Sequence, residues 1–175
     1  ANTLTLNGSL SGSGTFTGSS SSNLSIGGSS GGSLGTLSFT SGQETLNSFS
    51  INRTGSNANV ILGSNLSVAS LTLTNGVVAT GDHLFTFLNA NGDGSALAVA
   101  GYTQNSTAYK NSYICTCDAT GTPITTTDGT KGFRISNVGS TEIMFPVGAN
   151  FVSPNRMSMK NEGPVDDYTV VVQIG

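Results

Sequence analysis

Through the first half of the chain, apolar and polar residues alternate in short bursts. They are Thr3-Leu4-Thr5-Leu6-Asn7-Gly8, Asn23-Leu24-Ser25-Ile26-Gly27-Gly28, Thr36-Leu37-Ser38-Phe39-Thr40, Ser48-Phe49-Ser50-Ile51-Asn52, Asn59-Val60-Ile61-Leu62-Gly63, Asn65-Leu66-Ser67-Val68 and Ser70-Leu71-Thr72-Leu73-Thr74-Asn75-Gly76. A period of two sends alternate side chains to opposite faces of a strand, so each burst predicts a short strand with about two inward apolar residues. The Gly, Asn and Ser residues that close the bursts supply the turns.

The bursts also recur. Phe49/Ile51 returns 22 residues later as Leu71/Leu73, and Leu37/Phe39 returns 23 residues later as Val60/Leu62. A repeat of about 22 residues holding two or three strands predicts a parallel β-solenoid, in which each rung adds ~4.8 Å along the axis. An antiparallel β-sandwich has comparable strand spacing and is the alternative. Rungs whose outward positions are Ser, Thr and Asn favour the solenoid.

Beyond residue 81 the texture changes. Residues 1–81 carry only Glu44 and Arg53 as charges, whereas all four prolines, both cysteines and the remaining charges follow. The expected junction lies near 90–105, dividing a β-solenoid repeat region, 1–100, from a β-rich C-terminal module, 101–175. Tyr113-Ile114-Cys115-Thr116-Cys117, Gly132-Phe133-Arg134-Ile135, Glu142-Ile143-Met144-Phe145 and Tyr168 to Ile174 are its strand candidates. The module reads as a small β-sandwich capping the solenoid, with continuation of the solenoid as the alternative. The fold class expected is all-β throughout.

Composition narrows the functions. Gly, Ser, Thr and Asn make up about half of the 175 residues, hydrophobics 35%, and the formal net charge is −3. Strong helix formers are scarce, yet the apolar content exceeds that of disordered chains. Six scattered basic residues give nucleic acid no electrostatic footprint, and no apolar run is long enough for membrane insertion as a helix. With a single His and few acids, catalytic and metal chemistries lack their parts. The expectation is a scaffold, not an enzyme, that needs no cofactor.

Several residues still merit individual weighing. Cys115 and Cys117, two apart on a strand, share a face at a spacing that strains a direct bond between them. They are expected either as an inter-subunit disulfide in an oxidising compartment or as buried free thiols. Asn89, Asn91 and Asp93 have the alternation of a calcium loop with Gly94 in sixth place, but the twelfth position is Ala100 where an acid should close it. An Asn/Gly turn is the competing reading. Asp166 and Asp167 would point to opposite faces of a strand and cannot flank one glycosidic bond. The strand Thr169, Val170, Val171, Val172 and Ile174 is the most apolar of the chain. It is expected to pair with a neighbour or, at an edge, with another subunit.

At Leu46 to Gly55, Val60 to Val68 and Leu71 to Gly76 the chain resembles repeat segments of large cell-surface proteins of the Bacteroidetes. Their pattern reads roughly LTINRTGSGxVTLGSNLTVxGxLTLTNG. Lys131-Gly132-Phe133-Arg134-Ile135, Phe145-Pro146-Val147-Gly148, Asn155-Arg156-Met157 and Asp166-Asp167-Tyr168-Thr169-Val170 resemble the module that follows those repeats. The resemblance implies an exported, adhesin-like or fibre-forming client of type IX secretion at the cell surface. It carries no catalytic motif.

Two expectations of function follow. One is an extracellular structural subunit or stalk of a self-assembling filament, whose partner is itself or the neighbouring repeats of a longer chain. The other is an adhesin whose Ser/Thr/Asn face grips surface glycans, a crystalline polysaccharide or ice without self-assembly. The absence of Trp, and the location of all four Tyr beyond the repeats, weigh against a sugar platform in the repeats.

Overall fold

The computed structural model describes residues 2–29, 32–99, 112–125 and 128–172, excepting the side chains of residues 153 and 156. Among these residues the protein is all-β, with strands β1 (Asn2–Leu6), β2 (Ser22–Ile26), β3 (Thr36–Leu37), β4 (Thr45–Asn52), β5 (Asn59–Leu62), β6 (Leu66–Ala79), β7 (Leu84–Phe87), β8 (Leu97–Val99), β9 (Ser112–Cys115), β10 (Gly132–Val138), β11 (Ile143–Asn150), β12 (Ser153–Met159) and β13 (Asp166–Val170). Most pairings are parallel, so consecutive passes of the chain lie beside one another in the same direction.

Three ladders run through the molecule. In the first, β1, β2, β4, β6 and β8 align Leu4, Leu24, Phe49, Leu71 and Leu97, with Leu6, Ile26, Ile51, Leu73 and Val99 alongside. In the second, β4, β6, β7 and β10 align Leu46, Val68, Phe87 and Ile135. The third joins β3, β5, the end of β6, β9 and β11. The long β6 serves all three because its 14 residues turn from one ladder to the next. Gly76, at φ 102°, sits within that strand where a Cβ would stand 2.9 Å from the Ala58 carbonyl oxygen.

The expected Phe49/Leu71 and Ile51/Leu73 register is present. The other expected repeat is corrected, since Leu37 aligns with Leu62 and not with Val60. A shift of two residues keeps every side chain on its own face, so alternation alone does not distinguish these registers. Nor is the interval uniform, because Leu4, Leu24, Phe49, Leu71 and Leu97 are separated by 20, 25, 22 and 26 residues.

The inward residues form one continuous cluster that reaches from Leu24 to Val147. A file of rings crosses it: Phe49 to Phe85 at 5.7 Å, Phe85 to Phe133 at 5.8 Å and Phe133 to Phe145 at 6.1 Å. Tilted and edge-on rings at such distances are favourable beyond the area they bury. Two strands reverse direction at the C-terminal end. β12 pairs antiparallel with β11, and β13 antiparallel with β10. Pro154 lies in β12, which pairs on one side only among the described strands, where a missing N–H is tolerated.

Candidate assembly edge and binding residues

The N-terminal edge is built from the least charged part of the chain. Residues 1–43 contain no ionisable side chain. β1 pairs with β2 alone among the described strands, leaving its other backbone edge open. Four of its five residues are exposed, and Leu4 is 44% exposed. Leu6, Leu10 and Phe16 are only partly buried against the core. Phe16 stacks at 6.1 Å on Phe39, and Leu10 N–H donates to the Leu34 carbonyl at 2.5 Å, so this edge already carries on the pattern of the passes behind it. Leu4, Phe16, Leu24, Phe39 and Leu46 border an apolar cleft of ≈ 250 Å³.

The outward side chains form polar rows. Asn47 Nδ2 and Ser48 Oγ each donate to Asn23 Oδ1 at 2.9 Å, Asn75 Nδ2 donates to Asn52 Oδ1 at 2.8 Å, and Asn23 Nδ2 reaches Thr3 Oγ1 at 3.4 Å. Each bond joins adjacent passes and supports the register set by the apolar side.

Cys115 and Cys117 are bonded to each other, with S–S 2.04 Å and Cα atoms 5.2 Å apart. This corrects both expectations, the inter-subunit disulfide and the free thiols. β9 ends at Cys115, so Cys117 lies outside the regular strand, and the two Cα atoms close to bonding distance. Both residues are fully buried beside Ala79 and Tyr113. The Tyr113 hydroxyl donates to the Asn150 carbonyl at 2.8 Å, and burial pushes its pKa well above the usual phenol value.

The calcium-loop candidates lie in a turn, the competing reading. Asn89, 1% exposed and at φ 45°, accepts from Gly94 N–H at 2.8 Å through Oδ1 and donates to the Asn137 carbonyl. Asp93 Oδ1 accepts from Ser95 N–H at 2.9 Å, and Asn91 Nδ2 points to Ser95 Oγ. These oxygens turn to the loop's own amides, which makes the segment an Asx-type turn.

β13 has found a partner within the chain. Val170, Thr169 and Tyr168 pair with Phe133, Arg134 and Ile135, while Arg134 Nε donates to Thr169 Oγ1 at 2.9 Å. Val172 N–H donates to Thr116 Oγ1 at 2.9 Å. Val171 borders a groove with Met157, Met159 and Val170, and Ile174 lies outside the described residues. The far edge of β13 meets no other described strand. Asp166 and Asp167 open β13 and are exposed, and Asp167 Oδ1 caps Asn137 N–H at 3.1 Å.

Arg53 was not singled out by spacing, yet it is the largest fully buried side chain. Its Nε donates to the Gly32 carbonyl at 3.0 Å and its Nη1 to those of Gly27, at 2.9 Å, and Asn7, at 3.5 Å. The connections that follow β1 and β2 are thereby tied to one guanidinium. Gly28, at φ 97°, allows this closeness, because a Cβ there would stand 2.2 Å from the Asn7 carbonyl oxygen and 3.2 Å from Arg53 Nη1. A solitary cation in an uncharged, Gly-rich region was the available signal.

At the other end of the scale, His83 is held below the ordinary imidazole pKa, first by burial. Its neighbour Asp82 pairs with Lys131 and lies below the usual carboxylate range through that hydrogen bond and charge. No helix of the described residues is long and apolar enough to cross a membrane. No protein-family model matches the chain, and no curated protein or solved structure matches it.

Proposed function

We propose that this chain is an extracellular structural protein, a subunit or stalk of a fibre that associates end to end through strand stacking. The open β1 edge carries the reading. It presents unpaired backbone, an exposed Leu4 and partly buried Leu6, Leu10 and Phe16 on a region without charge. Soluble proteins commonly protect such edges with charges, prolines or bulges, and β1 has none of the first two.

In this reading the three ladders are the faces of a parallel β-solenoid, and its C-terminal antiparallel strands act as the capping module. The next pass in the stack is supplied by a second copy, or by neighbouring repeats if this chain is a piece of a longer one. The disulfide between Cys115 and Cys117 supports an oxidising, extracellular location, as does the resemblance to Bacteroidetes surface repeats.

Negative-stain electron microscopy with light scattering on the purified chain tests the proposal. Ordered filaments are expected, and Leu4→Lys, which places a charge on the edge, is expected to abolish them while the circular dichroism spectrum stays unchanged. A monomer at every concentration would overturn self-assembly and leave the adhesin reading.

A further inference from the structure

Asn–Gly pairs occur in the chain at residues 7–8, 75–76 and 91–92. Such a pair is able to react with itself, because glycine has no Cβ to keep its backbone nitrogen away from the preceding side-chain amide. The fold treats the three differently. Gly76 is buried against the Ala58 carbonyl and Ile51, and Asn75 Nδ2 is committed to Asn52 Oδ1. Gly92 N–H donates to the Asn89 carbonyl at 2.9 Å, which holds that nitrogen in its turn. Asn7 and Gly8 are both exposed, nothing lies within 4 Å of where a Gly8 Cβ would stand, and Gly8 N–H donates to no described residue.

A second observation concerns the peptide group between them. Arg53 Nη1 donates to the Asn7 carbonyl at 3.5 Å, and neither ion pair of the described residues takes up the Arg53 charge. That carbonyl oxygen is conjugated with the Gly8 nitrogen, so it shares the negative charge when the Gly8 N–H gives up its proton. A fixed cation at the oxygen stabilises the charge as it develops.

We propose that Asn7–Gly8 is a self-modifying site, which converts through a succinimide to aspartate and isoaspartate and so places a carboxylate at the end of β1. Hydroxide takes the Gly8 N–H proton and the nitrogen attacks Asn7 Cγ. The N–Cγ bond forms, the Cγ–Nδ2 bond breaks, and Nδ2 leaves as ammonia with a proton from water, which regenerates the hydroxide. Water then opens the ring at either carbonyl, giving aspartate or, with the main chain longer by one methylene, isoaspartate. Both products are ionised at neutral pH, in a stretch, residues 1–43, that otherwise has no ionisable side chain. Charge is what natural sheet edges use against further pairing. On the fibre reading, on which this consequence rests, a chain that has reacted no longer adds to the stack.

The test is peptide mapping by mass spectrometry after incubation at neutral pH, on the chain folded and in guanidinium chloride, dispersed as the Leu4→Lys variant if it forms fibres. Folded, Asn7 is expected to convert at least about tenfold faster than Asn75 and Asn91, and in denaturant the three rates should converge. Gly8→Ala meets open space at a φ outside the left-handed region, and should slow Asn7 about tenfold with the circular dichroism spectrum unchanged. Equal folded rates at the three pairs would overturn the site. Asn7 is also expected to convert at least as fast folded as unfolded, and Arg53→Met to slow it only in the folded chain; a slower folded rate, or a folded Arg53→Met chain reacting at the wild-type rate, would overturn the part given to the guanidinium. Asn7→Asp carries the charge from the start and is expected to stop filament growth. Filaments from it equal to those of the parent chain would overturn the consequence for assembly, whereas a parent chain that forms none would overturn the fibre reading and leave the rates at Asn7 to decide the site.

Discussion

Arg53 shows how much one side chain governs where the surroundings are uncharged. Its guanidinium gathers carbonyls from Asn7, Gly27 and Gly32, and truncation leaves them to find other donors. Arg53→Met is therefore expected to cost about 3 kcal/mol, read as a lower midpoint in urea unfolding. The titrating residues make a second prediction. Hydrogen bonds from the side chains of Ser95, Thr120 and Thr130 hold Asp93, Asp118 and Asp128 below the ordinary 3.8, as Lys131 does for Asp82. The unfolded carboxylates take up protons first, so their contribution is present above pH 3.8 and is lost as pH falls through the lower folded values. His83, lowered from 6.5 by burial, acts in the same direction, because below that pH the unfolded imidazole is protonated in preference to the folded one. Thermal midpoints should hold steady near neutrality, slip below pH 6.5 and fall further below 3.8; a His83→Gln variant should lose the first step.

Among the elements, β13 depends on a glycine. Gly132 has φ 101°, and a Cβ there would lie 2.6 Å from the Val170 carbonyl oxygen. Gly132→Ala is expected to cost about 2 kcal/mol and to expose the amides of residues 166–170 to hydrogen exchange before those of β2 and β4. Strands with clean alternation were legible in the sequence, and β1, β2, β4 and β5 fall where the pattern put them. β7, β8 and β12 were not. Leu84–Phe87 is buried at three of its four positions and so barely alternates, and β12 holds a proline and an arginine that read as loop. The register of β3 was illegible for another reason, since pairings two residues apart bury the same face. Of the candidate site, the bare β1 edge was visible as an absence of charge. The contacts of Arg53 were hidden, because the carbonyls it gathers lie 21 to 46 residues away in the chain.

At the scale of the molecule, the change in composition near residue 90 does not interrupt the packing. β9, β10 and β11 join ladders begun by β5, β6 and β7, and Phe85 lies between Phe49 and Phe133. Calorimetry is therefore expected to give one transition for the whole chain, and Phe85→Ala to lower it as a unit by about 4 kcal/mol. Two separate transitions would show that residues 1–100 and 101–175 are independent. The strand reversal of β12 and β13 has a different consequence. A chain adding to β1 meets backbone running in the common direction of five strands, while one adding beyond β12 or β13 meets backbone running against its own ladder. A fibre built end to end as proposed would thus be an arrow, with a leading and a trailing tip that differ in chemistry and in the rate at which each accepts the next copy.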